Sequence, residues 1–203
     1  HLLFLSVLSF FMFILISSTG CNDKDLQEPS LEDVPQFSVI PPADLLIENY
    51  LQYGTHLPGG GVSDSEFANI VGGLVKVNID AGYFGNNTCA MRLSHTINMS
   101  GHTIPYIEGQ TSSGGNGFKY IFRVKTMMDY FRQTFGEPTI VSIDELDFKG
   151  HQGIIVFETG DLWTDATGHS TIYDGDKVLG GNYAGEPGYY FDNAVNIMMW
   201  EAN

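Results

Sequence analysis

With 9 Lys and Arg against 24 Asp and Glu over 203 residues, the chain has a net charge of −15, which disfavours nucleic acid and anionic membrane surfaces as partners. Hydrophobic residues at 43% and 24 glycines exclude a disordered chain and fit one loop-rich α+β domain behind a short targeting segment. Part of the acidic excess (Asp23, Asp25, Glu28, Glu32, Asp33) precedes the domain, which is therefore less extreme than the whole.

Residues 2–16 are apolar apart from Ser6 and Ser9, a run too short for a comfortable membrane span. Small residues at 17–20 then lead to Cys21, so 1–20 reads as a secretory signal. Small residues before a cysteine resemble the lipobox of bacterial lipoproteins, although Ser18 stands where an aliphatic residue is usual. Three outcomes follow from that reading: a lipid anchor through Cys21, simple secretion, or an uncleaved anchor. Residues 21–41 are acidic and punctuated by Pro29, Pro35 and Pro41, a tether ahead of a domain at 42–203.

A helix is expected from Pro42, with Leu45, Leu46, Tyr50 and Leu51 as its apolar stripe. Ser63 and Glu66 form a capping box for a second helix over 67–77, in which Gly72-Gly73 permits close packing or a kink. A turn-rich run (Gly85, Asn86, Asn87, Thr88) stops at Cys89, and Leu93, Ile97 and a closing Gly101 mark a third helix that opens on the cysteine. Asn87 or Thr88 is its expected cap. There, unpaired amides and the helix dipole favour a thiolate, and thiols so placed titrate between about 3.5 and 7.5. If Cys21 is removed or acylated, Cys89 has no disulfide partner, and a leftover thiol in an exported protein is a reactive candidate.

The second half reads as strands. A loop runs to 117, a strand covers 118–124, and an amphipathic helix covers 127–135 before Gly136 and Pro138. Strands follow at 153–157, at 169–173, on the return at 177–179 after the Asp174-Gly175 turn, and at 195–200. Helices first and an antiparallel sheet after, with a cysteine on a helix and a histidine on a strand, is a papain-like layout that presents thiol and imidazole from opposite layers.

Of the six histidines, His1 is in the signal, His56 is at a helix end, and His95 is too far along the helix to meet Cys89. His102 follows that helix and His151 sits in a turn, whereas His169 opens a strand behind Gly168 and is the preferred base. A third residue must fix the imidazole tautomer. Asn182, on the return path, is preferred to Asp174, since turn aspartates commonly serve their own backbone. The Cys89 amide and one further donor would form an oxyanion hole.

Gly82-Tyr83-Phe84 leading to Asn-Asn-Thr-Cys89-Ala-Met-Arg92-Leu-Ser94, the stretch 118–130, 149–157, and 163–175 with Gly168-His169 resemble the fourth family of type VI secretion amidase effectors. The resemblance covers roughly residues 70–176 and implies an NlpC/P60-like papain fold. It further implies a cysteine amidase of peptidoglycan stem peptides, cutting between D-glutamate and meso-diaminopimelate, with a cognate immunity protein as partner. Cys89 and His169 fall on the family's nucleophile and base. Where the family carries an aspartate some way past the histidine, this chain reads Gly180-Gly181-Asn182. The export signal is a second departure, and it points to the cell envelope or the medium.

The alternative is a cell-wall- or partner-binding lipoprotein without catalysis. A zinc amidase using His95, His102, His151 or His169 has no ligand spacing behind it, and neither metal nor cofactor is expected. The sequons at Asn86 and Asn98 read as accidental, because a glycan at Asn86 would crowd the thiol.

Overall fold

The computed structural model describes residues 37–53, 61–85, 87–160, 167–180 and 188–203. The signal segment, most of the tether, His56, Asn86 and Asn182 lie outside the described residues. The compact unit begins at Phe37, ahead of the expected boundary. Ser38 N–H donates to the Thr134 carbonyl at 2.7 Å, and the Phe37 ring lies beside Gly136, so the end of the tether belongs to the fold.

Four helices come first. α1 (Ala43–Asn49) starts behind Pro42, as its fixed φ favours, and buries Ala43 and Leu46. The Ser63–Glu66 capping box is present and opens α2 (Asp64–Val71). The single helix expected over 67–77 is divided at Gly72 (φ 67°, ψ −162°), and α3 (Gly73–Asp80) restarts in a new direction. α4 (Cys89–Met99) ends in a Schellman closure: His102 N–H reaches the Ile97 carbonyl at 3.1 Å and Gly101 N–H the Asn98 carbonyl at 3.3 Å.

A two-stranded ribbon of β1 (Thr111–Ser113) and β2 (Lys119–Ile121) follows, where a loop and one longer strand were expected. α5 (Val124–Phe135) begins three residues sooner than its apolar period suggests, directly after the extended Arg123. The main sheet has the order β3-β6-β4-β5 and every described pairing in it is antiparallel. Its strands are β3 (Ile140–Ser142), β4 (Gly153–Glu158), β5 (Gly168–Tyr173) and β6 (Asn196–Glu201). A 3-10 turn (Glu145–Phe148) and a short α6 (Tyr189–Asn193), both unforeseen, cover one face. The return at 177–179 is only an isolated bridge between Tyr173 and Val178.

Strand alternation sends Ile154, Val156, Ile172, Met198 and Trp200 to one face, where they pack with Leu46, Leu93, Ile97, Met127 and Phe131 of the helices. Ile155, Phe157, Tyr173, Ile197 and Met199 take the other face under Phe148, Tyr190 and Phe191. A third cluster, Phe67, Val71, Val75, Met91 and Tyr120, joins α2 and α3 to α4 and β2.

The break between α2 and α3 is a close backbone approach. Gly115 N–H bonds the Val71 carbonyl at 2.9 Å, and a Cβ on Gly73 (φ 60°) would stand 2.5 Å from the Gly115 nitrogen. Gly117 (φ 87°) has nothing within 4 Å of its Cβ position. Denaturant unfolding will therefore separate the two: Gly73→Ala costs about 3 kcal/mol, from left-handed strain plus overlap, and Gly117→Ala about 1 kcal/mol from strain alone.

Candidate active site

The start of α4 is fixed by Arg92, a buried guanidinium one turn into the helix. Its Nε donates to Thr88 Oγ1 at 3.0 Å, Nη1 to the Leu51 carbonyl at 2.9 Å and Nη2 to Asp64 Oδ1 at 2.8 Å. The Phe67 and Tyr53 rings lie 4.9 and 5.1 Å from the guanidinium carbon. Thr88 stands at the cap position, yet its hydroxyl donates to Asp64 at 2.6 Å and accepts from Arg92 instead of capping the helix. The first-turn amides are thereby left open beside Cys89, and α4, α2 and the segment after α1 are drawn to one point.

Cys89, the free cysteine of the described residues, is partly buried against β5, the outermost strand of the sheet. In an antiparallel pair, alternate residues turn their backbone groups away from the partner strand. On β5, the Ile172 carbonyl accepts from Leu179 N–H at 2.8 Å, while Ser170 N–H is directed at the Cys89 sulfur. The Ser170 hydroxyl lies beside the sulfur and finds no ordinary hydrogen-bond partner among the described residues. The thiol thus lies at an outward-facing position of the β5 edge, beyond the point where Leu179 meets Ile172. Burial pushes this thiol up, outweighing the amides of Ser170, Ala90 and Cys89 itself. The expectation of an acidic thiol is corrected: the dipole and amides act in the foreseen direction, and desolvation exceeds them.

His169 is the next residue along β5, opposite Phe157. Its ring stacks on Tyr190 with centroids 4.0 Å apart and planes 6° from parallel. Nε2 is buried and has no partner among the described residues, and burial pushes the imidazole down to about 3. Gly168 is explained by contact, since a Cβ there would meet the Phe157 carbonyl oxygen at 2.1 Å. Cys89 and His169 are brought to one edge as neutral thiol and neutral imidazole, and the ring is not among the groups that hydrogen-bond the sulfur.

Of the candidates for the third position, Asn182 lies outside the described residues. Asp174 is not brought to His169. Its Oδ1 accepts from Asp176 N–H at 3.0 Å and Lys177 N–H at 2.9 Å, and it lies five positions beyond His169 along extended chain, about 16 Å away. The other histidines among the described residues are engaged elsewhere: His95 Nδ1 with Tyr120 Oη at 3.3 Å, His102 Nε2 with Tyr130 Oη at 2.7 Å, and His151 Nδ1 with Glu201 Oε1 at 2.8 Å. Among the described residues no three His, Cys, Asp or Glu side chains gather as metal ligands.

Two residues of the site escaped sequence reasoning. Arg92 entered the sequence reading only as a letter of the motif around Cys89, and Tyr50 as one more member of an apolar stripe. Tyr50 is buried, hydrogen-bonds the Thr171 side chain, feels the charges of Arg92 and Cys89, and is pushed up to about 12, chiefly by burial. Its hydroxyl fills the space beside Gly180, where a Cβ would lie 2.6 Å away. The Gly180-Gly181 pair was the available signal, because two adjacent glycines after a strand leave room for a neighbour.

Helices followed by an antiparallel sheet, with a cysteine opening a helix against the edge strand that carries a histidine, define the papain-like, NlpC/P60-like class. Residues 85–200 match the family model described as type VI secretion system (T6SS), amidase effector protein 4, and the chain belongs to that family. Among solved structures, Tae4 of Salmonella typhimurium in its effector–immunity complex with Tai4 is similar at 27% identity and a TM-score of 0.67, over 80% of this chain and 99% of that one. Tae4 from Enterobacter cloacae is similar at 27% identity and a TM-score of 0.65, over 83% and 100%. The Tae4–Tai4 complex from Enterobacter cloacae gives 27% and 0.63, over 80% and 99%. No curated protein sequence matches the chain.

Two measurements test this account of the site. A histidine with a folded pKa near 3 and an ordinary value of 6.5 takes up its proton first in the unfolded chain, so the stability it contributes is present above about pH 6.5 and is lost as pH falls from there. Melts at pH 7.5 and 5 will show the wild type losing roughly 2 kcal/mol more than His169→Phe. Arg92→Met leaves Asp64 and Thr88 without their cation and will cost about 3 kcal/mol in denaturant unfolding.

Proposed function

We propose that the protein is a cysteine amidase that hydrolyses peptidoglycan stem peptides at the D-glutamyl–meso-diaminopimelate bond. The observation that carries this reading is the placement of the Cys89 sulfur, in the first turn of α4 and against the Ser170 amide, one residue from His169, within an amidase effector family. In the mechanism, His169 accepts the thiol proton as Cys89 attacks the D-glutamyl carbonyl, and the C–N bond breaks as the imidazolium protonates the leaving amine. Water, deprotonated by the same ring, then hydrolyses the thioester and restores the thiol. Both groups start neutral, so proton transfer accompanies attack. Amides at the start of α4, the Cys89 N–H among them, stabilise the oxyanion.

Asn182 is the third residue of this scheme, and the orphaned Nε2 of His169 is the atom that such a partner would satisfy. A cognate immunity protein is the proposed partner, since similar Tae4 structures from Salmonella typhimurium and Enterobacter cloacae are complexes with Tai4. Export by the signal at 1–20, with or without a lipid on Cys21, would deliver the domain to the cell envelope. Among the described residues no helix is long and apolar enough to cross a membrane.

A second reading, a cell-wall- or partner-binding protein without catalysis, is favoured by one set of observations: a thiol pushed up, an imidazole pushed down, and no partner for Nε2 among the described residues. Purified muropeptides separate the readings. Wild type is expected to release the diaminopimelate-containing fragment and Cys89→Ala to release none; cleavage by both, or by neither, sinks the amidase assignment. Asn182→Ala is expected to lower kcat roughly 10- to 100-fold. Iodoacetamide alkylation of Cys89 at neutral pH, no faster than that of free cysteine and without muropeptide cleavage, identifies the binder.

A further inference from the structure

We propose that Arg123 is a specificity residue that binds a free carboxylate of the peptide beside the scissile amide, an inference that rests on Cys89 as the nucleophile of the proposed amidase. The placement follows from how β2 runs along α4. Asn98 Nδ2 donates to the Lys119 carbonyl at 2.9 Å, and Ile121 N–H donates to Ser94 Oγ at 2.9 Å, so strand and helix run antiparallel in step. Four helical residues rise about 6 Å and two strand residues about 6.6 Å, so the next two residues of chain bring Arg123 level with Ala90, at the turn that holds the thiol.

Ring contacts agree with that register. Arg123 lies over the Phe122 ring, its guanidinium carbon 5.1 Å from the centroid, and Phe122 packs on Phe84 at 5.4 Å. Phe84 belongs to the turn that leads into Cys89, where its carbonyl accepts from Asn87 N–H at 2.9 Å. A continuous path of packed groups thus runs from the guanidinium to the turn ahead of the nucleophile.

The charge at this place has no answer within the described residues. Lys76, Arg92, Lys125 and Arg132 are paired with Asp80, Asp64, Asp129 and Glu137. Arg123 is exposed, forms no ion pair among the described residues, and precedes a helix whose first turn carries no acidic side chain. Lys119, Lys149 and Lys177 are likewise in no ion pair among the described residues, and what sets Arg123 apart is its place over the Phe122 ring at the level of the turn that holds the thiol, where an anion from outside would meet it. A guanidinium takes a carboxylate through two parallel hydrogen bonds, a geometry that a carboxamide cannot return in full. The ligand class is therefore an acidic peptide with an unmodified carboxylate close to the bond that is cut.

The test uses two synthetic stem peptides that differ only in carrying that carboxylate or its carboxamide. Calorimetric titration of the uncleaving Cys89→Ala protein is expected to show the carboxylate peptide bound roughly 10- to 100-fold more tightly, with Arg123→Gln erasing the difference and Arg123→Lys keeping part of it. In the wild-type background, Arg123→Gln raises KM for the carboxylate peptide by a similar factor, holds kcat within a few-fold, and leaves the melting temperature unchanged. Equal binding of the two peptides by the Cys89→Ala protein, an undiminished preference after Arg123→Gln, or no binding of either peptide overturns the inference. Carboxylate-selective binding lost in Arg123→Gln, in a wild type that cleaves neither peptide, supports Arg123 and rejects the amidase reading. Cleavage without discrimination does the reverse.

Discussion

A sheet that ends at β5 presents a row of backbone amides and carbonyls with nothing beside them, and the arrangement of the site follows from how that edge is closed. Leu179 takes the Ile172 carbonyl, Thr171 Oγ1 bonds the Leu179 carbonyl, and the sulfur of Cys89 takes the Ser170 amide. The first turn of α4 therefore serves as the last piece of the sheet. Arg92 holds that turn in place by tying Thr88, Asp64 and the Leu51 carbonyl to one buried cation. Thr88 gives up its capping role to this knot, and the Cys89 and Ala90 amides at the start of the helix face the sulfur instead.

The sheet also separates the thiol and the imidazole by surroundings. Residues flanking each other on a strand point to opposite faces, so Ser170 looks toward the helical layer and His169 toward the aromatic layer under Tyr190 and Phe191. Cys89 meets the strand on its Ser170 side. Burial on the two sides drives thiol and imidazole toward their uncharged forms, one up and one down, and the resting pair carries no net charge.

The long periodic elements were legible in the sequence. The short apolar runs at 153–157 and 195–200, the Ser63–Glu66 box and the apolar spacing behind Cys89 each come from local rules, and β4, β6, α2 and α4 obey them. β1 and β3 span three residues each, too few to show a period, and α6 exists because Tyr190 and Phe191 have a sheet face to cover. Gly72-Gly73 announced a close approach, yet the partner, Gly115 at the tip of the β1–β2 ribbon, is far away in the chain. Of the site, the position of Cys89 at a helix start and of Gly168-His169 on a strand was readable. The burial that sets their proton affinities is a property of the packed layers, as are the roles of Arg92 and Tyr50, and no single stretch of chain encodes them.

The stack of His169 on Tyr190 has a mechanical corollary. Two nearly parallel rings lose little contact when the smaller one makes a half-turn about its Cβ–Cγ axis, because the flat faces continue to cover each other. Beneath the ring the strand is paired, His169 opposite Phe157 and Gly168 opposite Glu158, with the Phe157 carbonyl in the space that a Cβ on residue 168 would need. The stack thus fixes the plane of the imidazole, and which edge of the ring faces which neighbour within that plane is left to the groups that meet its nitrogens.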